Sequence, residues 1–262
     1  MNRLLAIALL LLTSMLMGCT SKPVAPIPYL EYKSPQATND NKKLLIMLRG
    51  LGGGHEIFEE HGLIDNIFAN GYAFDVVVPA AHFGYYRAKS LSERLHNDII
   101  LPAREKGYEE FWIAGTSMGG LGALMYLTEY PGNIEGVILL SPYLGWGGVL
   151  DDIEEAGGLK AWTLSPYSPD NWQMHLWSWL WEYDQQTVKE TEIYLGYGDI
   201  DFFTQGQKLL SEILPSGHTT VVSGGHTYRT LRKLWSDQSG GLVHHLPREA
   251  EHSPFQVAFY TP

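Results

Sequence analysis

Cationic side chains are scarce in this chain of 262 residues: 18 Lys and Arg stand against 29 Asp and Glu, a formal net charge of −11. Such a balance makes the chain a poor partner for nucleic acid or for an anionic membrane surface. Cysteine is scarcer still. Cys19 stands alone, so no internal disulfide can form. Apolar runs of the roughly 20 residues needed to span a bilayer are missing; Leu4 to Leu12 is unbroken but too short. Repeats and low-complexity segments are absent as well. What remains is ordinary globular material, 45% apolar, with 28 Gly and 14 Pro for tight connections. The length suits one sizeable α/β domain.

The short apolar run, preceded by Arg3, has the form of an export signal. It ends in Leu16-Met17-Gly18-Cys19, which resembles the lipobox of bacterial lipoproteins. That resemblance implies that residues 1–18 are removed and that Cys19 becomes a lipidated first residue. It also explains an unpaired cysteine in an exported chain. Thr20 and Ser21 follow, with no Asp directly after the cysteine. In the family resembled, this favours an outer-membrane location facing the periplasm. Residues 19–41 read as lipidated cysteine and tether, and 42–262 as the folded domain.

From residue 42 the chain alternates. Leu44–Leu48, Phe74–Val78, Phe111–Ala114, Gly136–Leu140, Ile193–Leu195 and Thr219–Val222 are apolar or β-branched runs closed by Gly, Pro or Ser. Runs of this kind suit strands buried on both faces of a parallel sheet. Between them lie candidate helices at about 56–70, 90–106, 118–130, 205–214 and 227–236. The alternation predicts an α/β fold, a doubly wound, mostly parallel sheet of about six to eight strands. Residues 143–190 break the rhythm and hold six of the eight tryptophans. They read as a cap-like insertion over the sheet edge, although single tryptophans are more often core. The pair His244-His245 reads as surface, with no third ligand spaced for a metal.

Gly115-Thr116-Ser117-Met118-Gly119 lies between a predicted strand and a predicted helix. A serine on so sharp a turn must take a strained backbone, and side chains two positions to either side would clash. The turn also sets the Ser117 hydroxyl at the positive end of the following helix. A hydroxyl needs a base, and the base needs an orienting group. His226 follows a strand that ends in Gly224-Gly225, while His218 precedes the same strand and belongs at its opposite end. Two carboxylates, Asp199 and Asp201, lie just past the strand at 193–195.

Together the elbow, the strand–helix rhythm and the glycine-rich run Arg49-Gly50-Leu51-Gly52-Gly53-Gly54 resemble the α/β-hydrolase superfamily across residues 42–236. The resemblance implies the order serine, acid, histidine. Its Gly-x-x-Asp frame fits twice, at Gly196–Asp199 and Gly198–Asp201. Asp201-Phe202-Phe203 looks more like relatives, so Asp201 is preferred over Asp199. The resemblance further implies an oxyanion hole from the N–H groups of Leu51 and Met118, with Arg49 where His often stands. One departure is the lack of the usual two leading antiparallel strands; only Tyr29–Tyr32 offers a remnant.

The expected activity is cleavage of a small-molecule carboxylic ester by Ser117, His226 and Asp201 through an acyl-enzyme, with no cofactor and no metal. Acyl transfer, thioester or amide cleavage on the same triad, or a non-catalytic binding lipoprotein, are the competing readings. The tryptophans of 143–190, Trp177 and Trp181 among them, are expected to wall the substrate pocket together with Tyr85 and Tyr86.

Overall fold

The computed structural model describes residues 22–36, 42–163, 171–236 and 241–248. The signal and the lipobox cysteine Cys19 lie outside these residues. The strands are β1 (Tyr29–Tyr32), β2 (Lys43–Leu48), β3 (Asp75–Pro79), β4 (Glu110–Thr116), β5 (Gly136–Leu140), β6 (Glu192–Gly198) and β7 (Thr219–Val222). They form one sheet in the order β1-β3-β2-β4-β5-β6-β7. β1 runs antiparallel to β3 and every other pair is parallel. The fold is therefore the predicted α/β class, with Tyr29–Tyr32 as the one antiparallel edge strand among the described residues.

Both faces are covered, as parallel strands require. Successive residues of β2 prove it. Leu44, Ile46 and Leu48 enter one apolar cluster, while Leu45 and Met47 enter the other. All five are at most 2% exposed.

The helices run α1 (Ile57–Glu60), α2 (Leu63–Ala69), α3 (Phe83–Arg87), α4 (Leu91–Leu95), α5 (Leu101–Glu105), α6 (Met118–Glu129), α7 (Val149–Glu155), α8 (Trp172–Gln185), α9 (Thr204–Ser211) and α10 (Tyr228–Trp235). Two predicted helices are modified. The one at 56–70 is split between α1 and α2 at Gly62, whose φ is 70°. The one at 90–106 widens into a π turn at His96–Ile100. Pro102 stands just beyond that turn and lacks the N–H that a regular ladder would use.

The expected tryptophan cap is met in part: Tyr143, Trp146 and Trp172 join in an aromatic cluster with Phe203, and other tryptophans of the insertion are core. Trp177 and Trp162 are buried in the core, and the Trp177 indole N–H donates to the Leu144 carbonyl at 3.0 Å. Trp179 and Trp181 pack partly buried against the same cluster. α8 thus spends most of its aromatic surface closing the core. Composition could not distinguish this from a lid, because both uses bury large rings. Trp146 is the exposed exception, at 67%.

Candidate active site

The strand order reverses between β2 and its neighbours, since β3 lies on one side and β4 on the other. At such a reversal the connections leave the carboxyl edge in opposite directions and open a crevice. The chain after β2 and the chain after β4 both begin there. Ser117 directly follows β4 with φ 52° and ψ −117°, a strained conformation that costs about 1–3 kcal/mol. A side chain at Gly115 would overlap the Gly119 carbonyl, and one at Gly119 would overlap the Leu48 carbonyl. The two glycines let the start of α6 press against the ends of β4 and β2. Gly50 passes so close that a Cβ on it would stand 3.2 Å from that of Ser117 and 3.8 Å from its Oγ.

Three side chains meet at this edge. The Asp201 carboxylate is an acceptor only, so His226 Nδ1–H donates to Asp201 Oδ2, at 2.8 Å. The ring's Nε2 lies 3.0 Å from the Ser117 hydroxyl oxygen. Asp201 is 3% exposed. Burial opposes its ionisation, but hydrogen bonds from His226 and from the Phe203 N–H (2.9 Å) outweigh it. Its carboxyl is held below the ordinary aspartate value. The rings of Phe202 and Phe203 lie 4.7 and 5.1 Å from the His226 ring and flank it.

Asp199 does a different job. Its Oδ1 accepts the Gly224 N–H at 2.9 Å, and its own N–H donates to the Val222 carbonyl at 2.9 Å. It ties down the loop that carries His226, and it is Asp201 that reaches the ring. His218 stays at the other end of β7, stacked on Tyr194 at 4.4 Å. His245 also stacks on Tyr194, at 3.8 Å. Burial first, then the neighbouring histidines, lowers its pKa to about 4. Among the described residues no group of three potential ligands could hold a metal ion.

Arg49 was conspicuous in the sequence, but its use was not legible there. It is only 7% exposed and forms no ion pair among the described residues. Its Nη1 donates to the carbonyls of Gly50 and Leu51 at 3.2 and 3.4 Å. In a trans peptide the carbonyl and the N–H point in opposite directions. With the Gly50 carbonyl held toward the guanidinium, the Leu51 N–H of that peptide is turned away from it. Met118 is the first residue of α6, where backbone N–H groups have no partner within the helix.

Next to Met118 opens a cavity of about 630 Å³. Tyr85, Tyr86, Tyr143 and Trp172 are among its walls, whereas Trp177 and Trp181 are not. Tyr143 gave no signal in the sequence. Its N–H donates to the Ser117 carbonyl at 2.9 Å. Its ring bridges Trp172, at 5.5 Å, and Phe203, at 4.9 Å. An aromatic chain therefore connects the cavity wall to the histidine.

A family model described as serine aminopeptidase, S33, matches residues 94–211. The stretch holds Ser117 and Asp201 and stops short of His226. No curated protein matches the sequence. Solved structures of similar fold include a ferulic acid esterase, with TM-score 0.54, 18% identity, 78% of this chain and 87% of the other. An S-formylglutathione hydrolase from Staphylococcus aureus is similar at TM-score 0.54 and 17% identity, over 80% of this chain and 92% of the other. A fluorophosphonate-binding serine hydrolase from the same organism is similar at TM-score 0.50 and 16% identity, over 80% and 95%.

Proposed function

Starting from a chain with the α/β-hydrolase fold, we propose that it cleaves carboxylic esters through an acyl-enzyme on Ser117. The observation that carries this reading is the unbroken line from Asp201 through His226 to Ser117, at 2.8 and 3.0 Å, on a strained elbow.

In the proposed reaction Ser117 Oγ attacks the ester carbonyl while its proton passes to His226 Nε2. Asp201 keeps the ring oriented and stabilises the imidazolium. The oxyanion is received by the N–H groups of Leu51 and Met118, the first turned by Arg49 and the second at the helix start. His226 then protonates the leaving alcohol. Water, deprotonated by the same ring, releases the acid and restores Ser117. The names of the similar structures, an esterase and two hydrolases, agree with this class of reaction.

Treatment with a fluorophosphonate, followed by mass mapping, should place the adduct on Ser117, and an aryl-ester panel should show turnover that Ser117→Ala abolishes. Labelling elsewhere, or undiminished turnover in the variant, would sink the reading. Product that accumulates as a new ester when alcohols are added would reassign the enzyme as an acyltransferase.

The lipid anchor is proposed on sequence grounds, from the lipobox-like run ending at the chain's single cysteine. Among the described residues no helix is long and apolar enough to cross a membrane. Intact mass of the protein from membranes, with and without Cys19→Ser, tests it: an unlipidated wild type refutes it.

A further inference from the structure

The cavity that begins at Met118, the residue after the nucleophile, has a direction. Met118, Leu121, Gly122, Met125 and Glu129 all line it. Their spacing of three and four residues places them on one face of α6. The cavity is therefore a groove that follows the helix from its first residue, next to the nucleophile, to its last. At 1.5 Å per residue that run is about 16 Å long.

Its two ends differ in chemistry. Near Ser117 the floor is Met118 and Leu121, 7% and 8% exposed. Beyond them come Gly122 and the half-buried Met125. A Cβ at Gly122 would stand 2.7 Å from the Tyr86 hydroxyl and 2.8 Å from Leu91 Cδ2. The missing side chain is what lets those two residues close against the helix as one wall. Tyr143 and Trp172 are part of the lining as well. At the far end stands Glu129, which is exposed, as are the lining residues Arg87 and Lys89. Methionine is unbranched and adaptable, so a floor of Met118, Leu121 and Met125 suits a flexible chain better than a fixed ring.

We propose that this groove binds the long alkyl arm of the ester substrate. The scissile carbonyl sits at the Met118 end, and the arm's remote terminus reaches water at the Glu129 end. The natural substrate is then an ester with a medium-to-long straight chain, acyl or alkoxy, and not an acetyl ester. This deepens the ester-hydrolase reading and rests on it.

The test is a chain-length series of aryl esters from acetyl to dodecanoyl, a matching alkyl-acetate series, and one cinnamoyl ester. They are assayed on the wild type and on Met125→Trp and Met125→Ala. In one of the two wild-type series kcat/KM should rise by about fourfold for each methylene removed from water until the groove is filled. Met125→Trp should cut off the rise partway and move the optimum to shorter chains, with long chains falling at least tenfold against the optimum. Met125→Ala, which adds no bulk, should keep the rise to the longest chains; it preserves the test if the tryptophan variant does not fold. Fluorophosphonate labelling of Ser117, followed in parallel, reports separately whether the nucleophile is active. Labelled protein with a flat profile in both series, with Met125 variants that leave the profile unmoved, or with cinnamoyl preferred over every alkyl chain, overturns the groove assignment. Absence of both labelling and turnover overturns the ester-hydrolase reading and this inference with it.

Discussion

Among the described residues two aspartates are buried against this sheet, one at each edge. Asp201 lies past the carboxyl end of β6 and Asp75 opens β3 at the amino edge; they are 3% and 5% exposed. Both carboxyls are held below the ordinary aspartate value against the opposing effect of burial. Their partners differ. Asp75 accepts from Lys33 Nζ at 3.0 Å, from the Ser34 N–H at 2.8 Å and from the Tyr108 hydroxyl. That set is closed: a lysine, a tyrosine and a backbone amide fasten the segment after β1 to the start of β3. Asp201 instead faces an imidazole whose far nitrogen faces a serine on a strained turn. A buried, ionised carboxylate is therefore no mark of chemistry by itself. The mark is a partner that can shuttle a proton and a nucleophile beyond it.

The largest effects should fall on the carboxyl edge. Ser117→Ala is expected to lower kcat by about 10⁵–10⁶ with the fold intact, since triad members act as a unit. Circular dichroism and single-turnover ester cleavage check both halves of that statement. Asp201→Asn should cost about 10⁴ in kcat through the wrong imidazole tautomer. Asp199→Asn should cost tenfold or less, because it only loosens the loop at Gly224. If Asp199→Asn proves the worse of the two, the roles are reversed. Asp75→Asn should leave kcat within about threefold.

Arg49→Met should come next, with a loss of about 10–100-fold in kcat and little change in KM, below the full cost of a missing oxyanion donor. The Leu51 amide stays in place but is no longer held. Recovery of rate by added guanidinium would support positioning through the Gly50 and Leu51 carbonyls. A rise in KM at constant kcat would instead mean that Arg49 binds substrate.

Much of the carboxyl edge was legible because sterics dictate it. Gly115 and Gly119 are needed wherever a serine turn meets a helix, and a glycine-ended strand marks where His226 can reach. The choice between Asp199 and Asp201 was not fixed by pattern. Both fit the same frame, and only the path of the loop shows Asp199 spent on Gly224. Trp177 and Trp181 misled because composition says nothing about which side of a helix is covered, whereas Trp172 on the same helix does line the cavity. The Asp75 network had a signal that went unused: a lone aspartate at the head of Val76-Val77-Val78, inside a run read as apolar. A carboxylate there must find partners, but they come from residues 33, 34 and 108, which no local pattern connects to it.

The smallest predicted effect sharpens the contrast between the two aspartates through pH. Asp75 is ionised in both the folded and unfolded chain above its ordinary value of 3.8, so its stabilisation is complete there. Below 3.8 the unfolded chain takes up the proton first, because the folded carboxyl titrates lower. Stability is then lost progressively as pH falls toward the folded value. Asp75→Asn removes the charge in both states. At pH 7 it should cost about 1–3 kcal/mol, the range for losing a charged hydrogen-bond acceptor. Lys33 is largely exposed, with 63% of its side chain in solvent, so its ammonium is rehydrated without great penalty. The gap between wild type and variant in urea midpoint should therefore be widest at neutral pH and shrink below pH 4. Ester turnover at pH 7 should remain nearly the same. A gap that stays constant through pH 3 would mean that the carboxyl is not held ionised by Lys33, Ser34 and Tyr108. A large loss of turnover in a well-folded Asp75→Asn would mean that the amino edge is coupled to the site, and the division between the two aspartates would fail.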